Sequence, residues 1–249
     1  MNRLDTELDR LFLGGLVFAP QDARTLSLVD VRQRTRTLVL EVVQPVNWEA
    51  LSEVWHGVQM ELELPAPGIA VSGSDGLQLW FSLETAIPAA EAHAFLEALR
   101  ARFLDHVPAP RVRLWPARDG RHTALAPAPQ ADGNWSAFVA PDLAAIFSET
   151  PWLDVEPGEE GQAVLLRALQ SIKPAAFDAA LAGMRATARH APAPASAPTR
   201  EAVHEPHEAT DDPRRFLLRV MNDESVALGL RIEAAKALLS AGRQDAGTR

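Results

Sequence analysis

The clearest structural signal in the sequence is PGIAVSGSDGLQLWFSL, residues 67–83. Two short apolar runs flank the polar segment Ser72–Gly76, and this pattern predicts two strands joined by a tight turn. Asp75–Gly76 favours that turn, because both residue types tolerate the positive φ that hairpin turns use. The second run, Leu77–Leu83, alternates large apolar residues with Gln78 and leads into a helix. The stretch therefore predicts a β-hairpin followed by a helix.

Several segments before the hairpin have the periodicity of regular structure. Apolar residues at helical spacing predict a helix over Leu4–Phe12, which the glycines at 14 and 15 would end. Apolar and polar residues mix or alternate in three further segments, which we predict to be strands. They are Thr25–Val31, Thr35–Val43 and Val58–Leu64. Between the last two, the pattern predicts a short helix over Trp48–Trp55 with Asn47 as its N-cap.

After the hairpin, the pattern alternates between helices and short strands. Pro88–Val107 has one continuous apolar face and is the clearest helix of the chain. Strands are predicted at Arg111–Pro116 and Trp135–Ala140, on either side of a polar loop over Ala117–Asp132. Three further helices are predicted at Pro141–Phe147, Gly158–Ile172 and Pro174–Ala188. Together these elements predict an α+β fold with a mixed or antiparallel sheet and packed helices.

The composition divides the chain into three parts. Residues 1–188 carry the predicted α+β domain. Residues 189–211 are rich in Pro, Ala and acidic residues and lack a periodic apolar face, which predicts a flexible linker. Residues 212–249 have two apolar faces at helical spacing and predict a short C-terminal helical pair.

Charge and composition limit the function classes. The 249 residues carry 33 acidic and 24 basic side chains, a net charge of −9. This acidity disfavours nucleic-acid binding over the whole surface, although the segment 212–249 has seven basic and five acidic residues. There is no cysteine, so disulfides and thiolate chemistry are excluded. A charged N-terminus and no apolar run of membrane-spanning length predict a cytoplasmic protein without a membrane partner.

No motif in the sequence predicts a cofactor or a metal. His204 and His207 have a spacing that could chelate a metal on a helix, but they flank Pro206 in the predicted linker and no third ligand accompanies them. The segment Gly73–Gly76 does not match the G-x-S-x-G nucleophile pattern, and a strand follows it where a phosphate loop needs a helix. The six tryptophans are candidates for base stacking or for core packing.

Three segments together resemble a known family. SGSDGLQLWFSL before a long helix, then VRLWPARDG, then GNWSAFVAP, are similar to the core of the archaeo-eukaryotic primase superfamily. The resemblance covers roughly residues 67–141. It implies a primase-like α+β scaffold, with Ser72 in the family's serine and glycine turn.

The departures from the family pattern bear on activity. Gln78 stands at the position of the family's histidine, and Arg113 at that of an acidic metal ligand. The family's earlier paired acidic motif has no clear counterpart, since Glu41 in TLVLEVV is a single carboxylate. Nucleotidyl transfer by two metals needs clustered carboxylates, and an arginine there would repel the metal. The resemblance therefore implies a catalytically inactive relative, while an enzyme with a site built from dispersed residues stays open as an alternative.

The C-terminal segment has a resemblance of its own. DPRRFLLRVMNDESVALGLRIEAAKALLSAGR, residues 212–243, is similar to a helical motif of phage terminase small subunits. That resemblance implies DNA binding, with a replication or packaging protein as a further candidate partner. The DNA-contacting residues would be Arg214, Arg215, Arg219, Arg231 and Lys236. The sequence thus predicts a non-catalytic, nucleic-acid-associated protein of a phage or mobile element; the alternative is an adaptor whose tethered helices dock a partner protein.

Overall fold

A computed structural model describes residues 2–16, 28–45 and 48–190, with side chains up to residue 187. The chain divides into two units between Pro192 and Ala193, and all the described residues belong to the first unit. The helical pair predicted over 212–249 lies outside the described residues, as do Asn47 and nearly all of the predicted linker.

The described residues form six strands and five α-helices. The strands are β1 (Arg34–Val43), β2 (Gly68–Val71), β3 (Gly76–Pro88), β4 (Val112–Trp115), β5 (Ala128–Pro129) and β6 (Trp135–Val139). The α-helices are α1 (Arg3–Leu8), α2 (Trp48–Met60), α3 (Ala89–Phe103), α4 (Glu159–Arg167) and α5 (Pro174–His190). A π-helical turn (Asp9–Leu13) extends α1, and 3-10 turns lie at Ala109–Arg111 and Ala144–Ser148.

All six strands belong to one sheet, in the order β4-β1-β3-β2-β6-β5. Each neighbouring pair of strands is antiparallel. The predicted α+β class with a packed antiparallel sheet is therefore confirmed. No helix of residues 2–16, 28–45 and 48–190 is both long and apolar enough to cross a membrane.

One face of the sheet, called here the α3 face, is covered by α2, α3 and α5. Successive side chains of a strand point to opposite faces, so every second residue of β1 and β3 packs on this side. Leu38 and Leu40 of β1 and Leu79 of β3 are fully buried there. The rings of Phe95 and Phe177 stack at 4.7 Å between centroids and join α3 to α5.

The opposite face, called the α4 face, carries a second core under α1 and α4. Phe12 lies between Trp80 of β3 and Phe138 of β6, with ring centroids 5.4 and 5.9 Å away. Val39 of β1 and Leu166 of α4 are buried in the same cluster. Since Val39 and Trp80 point to this side, residues two positions away on each strand do so as well.

The hairpin is confirmed, but its turn differs from the prediction in detail. In the hairpin, Val71 pairs with Leu77 and Gly68 pairs with Trp80. The positive φ falls on Gly73, at 84°, and not on Asp75–Gly76. A Cβ at residue 73 would also lie 2.7 Å from the backbone nitrogen of Ser136. Both the positive φ and this close contact therefore require glycine at position 73.

Two strand predictions are wrong. Val58–Leu64 was predicted as a strand from its alternation, but α2 continues to Met60 and a bend follows. Buried residues at helical spacing across the whole of α2 outweigh the local alternation. In the predicted strand Thr25–Val31, the described residues Leu28–Val31 form a bend, because the Asp30 carboxylate accepts hydrogen bonds from the backbone of Arg32 and Arg34.

The loop predicted over Ala117–Asp132 contains the short strand β5, which pairs with β6. The other predictions agree in type and differ at their ends. Pro88 is the N-cap of α3 and not a residue of its first turn. Pro141–Phe147, predicted as a helix, begins as a turn and continues into the 3-10 turn Ala144–Ser148, which ends one residue beyond the predicted helix. Gly158 is the N-cap of α4, which ends at Arg167, five residues before the predicted end.

Candidate functional site

Three of the residues singled out in the sequence lie side by side across the sheet. Glu41 of β1 pairs with Arg113 of β4 on one side and with Gln78 of β3 on the other. All three belong to the α4 face, since each lies two residues from Val39, Trp80 or Trp115. We call Arg113, Glu41 and Gln78 the polar row.

Glu41 is the buried centre of the row. Its side chain is nearly inaccessible, and burial raises the pKa of the carboxyl. The indole N–H of Trp115 donates to Oε2 at 3.2 Å, and Nη1 of Arg113 lies 3.6 Å from Oε1. These groups and Gln78 oppose the pKa rise, but desolvation is the larger effect.

Arg113 is held mainly by Asp75, which lies in the hairpin turn. Nη1 and Nη2 of Arg113 donate to the two carboxylate oxygens of Asp75, each at 2.8 Å. This bidentate pair lowers the pKa of Asp75 and raises that of Arg113. The guanidinium of Arg113 therefore lies between two carboxylates, one buried and one half-exposed.

The turn brings Asp75 to the row and leaves room for Glu41. Ser72 Oγ accepts hydrogen bonds from the backbone N–H groups of Gly76 at 2.9 Å and Ser74 at 3.2 Å. A Cβ at Gly76 would lie 2.6 Å from Oε1 of Glu41. Gly76 is therefore needed for the close approach of this carboxylate rather than for a positive φ.

Gln78 links the row to the aromatic cluster of the α4 face. Its Oε1 accepts a hydrogen bond from the indole N–H of Trp80 at 2.9 Å, and both residues are buried. Two tryptophans thus direct their N–H groups at the row, Trp80 to Gln78 and Trp115 to Glu41. Both act as packing residues with satisfied polar atoms, and the indole N–H of Trp55 is likewise satisfied by the backbone oxygen of Pro67.

The row lines a small polar pocket. Its volume is about 170 Å³, and the other lining groups include Ser72, Ser74, Thr123, Gln130 and Ser136. Small-molecule sites usually measure ~300–1,000 Å³, so this pocket suits a few water molecules rather than a nucleotide.

The electrostatics of the row are those of one guanidinium shared by two carboxyl groups. Arg113 occupies the space between Glu41 and Asp75 where a cation would neutralise the two carboxylates. A divalent ion entering the pocket would meet the guanidinium charge, and a phosphate would meet the carboxylates. Within residues 2–16, 28–45 and 48–187, no group of three or more His, Asp or Glu side chains could hold a metal ion.

The sequence identified four of these positions and missed two. Ser72, Gln78, Arg113 and Glu41 were singled out, and the structure brings them together around one pocket. Asp75 was interpreted as a turn residue, and Trp115 was a candidate for base stacking or for core packing. Asp75 lies 38 residues from Arg113, and no local pattern links the two.

The five residues predicted to contact DNA lie outside the described residues. They are Arg214, Arg215, Arg219, Arg231 and Lys236. His204 and His207 lie outside as well.

No family model matches the chain, and no curated protein matches it.

Proposed function

We propose that this chain is a non-catalytic, nucleic-acid-associated protein of a phage or mobile element. The folded domain is a degenerate primase-like scaffold, and the C-terminal segment contacts DNA. The observation that supports the proposal best is the polar row. The positions at which the sequence departs from the primase pattern, Gln78 and Arg113, flank the single carboxylate Glu41 on adjacent strands.

The chemistry of the row favours a scaffold over a polymerase. Two-metal nucleotidyl transfer needs carboxylates free to bind Mg²⁺. Glu41 is buried beside Arg113, and both oxygens of Asp75 already accept hydrogen bonds from the same guanidinium. Occupying the pocket with a metal would therefore require breaking a bidentate ion pair.

The distribution of charge favours the C-terminal segment as the DNA contact. Residues 1–190 carry 24 acidic and 16 basic side chains, a net charge of −8. Residues 212–249 carry a net charge of +2. Phosphate binding depends on local Lys and Arg, so the DNA contact is assigned to Arg214, Arg215, Arg219, Arg231 and Lys236.

The test is a fluorescence-anisotropy titration of the full-length protein with single- and double-stranded DNA at low and moderate salt. Changing those five residues to Gln should weaken binding and flatten its salt dependence, since fewer counterions are released. Arg113→Gln is the matched control, because it removes a positive charge that Asp75 already neutralises and should leave binding unchanged. DNA binding that survives the five-residue change, or is lost with Arg113→Gln, would contradict the proposal.

The second candidate is an adaptor protein, which the acidity of residues 1–190 favours. In that case the segment 212–249 docks a partner protein rather than DNA. A partner that is retained at high salt and lost on deleting residues 212–249 would support the adaptor. Failure of the full-length protein to bind either DNA at low salt would also favour it.

A further inference from the structure

A second surface shares no lining residue with the pocket at the polar row, and it has the character of a docking site. A groove of about 620 Å³ lies between α4 and the 3-10 turn Ala144–Ser148, next to the end of β6. Its walls include Val139, Leu143, Phe147, Leu153 and Val164. We call this surface the β6 groove.

The β6 groove is an unusually apolar part of the surface. Six large apolar residues are well exposed in the part of the chain that the structure describes, and four of them lie on the segments that form the groove. These four are Leu143, Ile146, Val155 and Val164, of which Leu143 and Val164 line the groove itself. Exposed apolar residues that cluster in this way are typical of interaction sites.

The segments that form the groove are acidic, and we call their six exposed acidic side chains the acidic rim; of these, Glu160 lines the groove itself. Residues 141–166 carry six acidic side chains and no Lys or Arg. They are Asp142, Glu149, Asp154, Glu156, Glu159 and Glu160. Among residues 2–16, 28–45 and 48–187, Arg3 is the one arginine or lysine that forms an ion pair with any of them, at Glu160.

Beyond Ser136, β5 no longer pairs with β6, and this free edge of β6 is closed to an added strand at Phe138. The side-chain amide of Gln162 accepts from the N–H of Phe138 at 2.8 Å and donates to its C=O at 3.0 Å. Gln162 is buried, so these two bonds occupy the backbone groups that a strand would need. The occupant must therefore bind through side chains, as a helix does in a groove.

We propose that the β6 groove docks a basic amphipathic helix of a partner protein. Leucine-type side chains on one face of that helix would fill the apolar floor, and Lys or Arg on its flanks would face the acidic rim. The same rim would repel nucleic acid and anionic lipid, which excludes both as occupants. The groove shares no residue with the polar row or with residues 212–249, so the proposal does not depend on the DNA proposal.

The test uses full-length protein and a labelled designed peptide of ~14 residues, about four helical turns. Leucines are placed at i, i+3, i+4 and i+7, and the remaining positions are Lys and Ala. A matched peptide has Glu in place of every Lys. Anisotropy should show binding of the Lys peptide that weakens with salt, and about tenfold weaker binding of the Glu peptide.

Two protein variants locate the binding site. Val164→Arg places a positive charge in the groove at a side chain that is 56% exposed. Val31→Arg places the same charge at a valine that is 57% exposed and outside the groove. Val164→Arg should lower affinity for the Lys peptide about tenfold, while Val31→Arg should match the unaltered protein.

Three outcomes would overturn the proposal. They are no binding of the Lys peptide, equal binding of the two peptides, and equal effects of the two arginine variants. Sedimentation of the full-length protein tests whether a second copy of this chain occupies the groove. Self-association that Val164→Arg abolishes and Val31→Arg does not would assign the groove to a second copy of this chain instead.

Discussion

Polar side chains are buried against the same sheet at the polar row and at the β6 edge. The two regions differ in how these side chains find partners for their polar atoms. At the row, the carboxylate of Glu41 faces Arg113 at 3.6 Å and one indole N–H. At the edge, the neutral amide of Gln162 makes two short hydrogen bonds to one residue, Phe138. One region relies on charge compensation, and the other on complete pairing of neutral groups.

The difference predicts opposite consequences for stability. Desolvation of a buried ionised group lowers the free energy of unfolding. This loss of stability depends on pH when the pKa of the group differs between the folded and the unfolded chain. A fully paired neutral amide carries no such dependence, and removing it leaves its partners unpaired. The β1 side of the sheet holds a second titratable group, His122, whose Nε2 lies 3.0 Å from the backbone oxygen of Thr37.

The largest effect is expected at the β6 edge. Gln162→Leu removes both partners of Phe138 and leaves a buried N–H and C=O unsatisfied. We expect the free energy of unfolding to fall by about 2–4 kcal/mol, measured by urea denaturation. Val164→Ala, at an exposed position on the same helix, is the control and should change stability by less than about 1 kcal/mol. Equal losses in the two variants would show that the amide pairing is not what stabilises this edge.

The next effect is a loss of stability at acidic pH caused by His122. Burial lowers the pKa of its imidazole to about 4 from the ordinary 6.5, so the unfolded chain binds the proton more readily. Stability should therefore decrease as the pH falls from 6.5 towards 4, by up to about 3 kcal/mol. His122→Gln, whose amide can still donate to Thr37, should remove this decrease in denaturation measured at several pH values.

A matched substitution separates His122 from the other histidines. His56 is exposed on α2, and His56→Gln should retain the pH dependence of the unaltered protein. A pH dependence that persists in His122→Gln and disappears in His56→Gln would contradict the assignment.

The smallest change in stability is expected at Glu41, the centre of the polar row. Unlike the changes above, its substitution should increase the free energy of unfolding. Burial raises the pKa of Glu41 in the folded chain, so the ionised carboxylate costs stability at neutral pH. Glu41→Gln should raise the free energy of unfolding at neutral pH. This increase in the free energy of unfolding should diminish as the pH falls through the pKa of Glu41 in the folded chain. It should vanish below the pKa of this carboxyl in the unfolded chain, near 4.5.

Asp75→Asn provides the comparison within the same ion-pair cluster. The pKa of Asp75 is lowered by Arg113, so this change should reduce stability at neutral pH and have no effect at strongly acidic pH. A loss of stability in both variants at neutral pH would mean that the Arg113–Glu41 attraction outweighs the desolvation of Glu41.

Local patterns predicted those elements whose burial follows a single period. The apolar face of α3, with Ala92, Phe95, Leu96 and Leu99 all buried, was evident from spacing alone. The same reasoning failed at Val58–Leu64, where a short alternation lies at the end of a longer helical pattern. It also failed at Leu28–Val31, where the Asp30 side chain offers the backbone an alternative to strand pairing.

The sequence by itself determined the hairpin at 67–83, the helix that follows it, the α+β class and the unusual residues Glu41, Gln78 and Arg113. Those features depend on side-chain periodicity and residue type, which are local. Only the tertiary structure decided that β1 lies between β3 and β4, which aligns these three residues and brings Asp75 to Arg113. The same holds for the β6 groove, whose walls come from residues 138–165 but whose exposed apolar face depends on what the rest of the fold leaves uncovered. Strand order and surface exposure arise from long-range packing, and no local pattern encodes them.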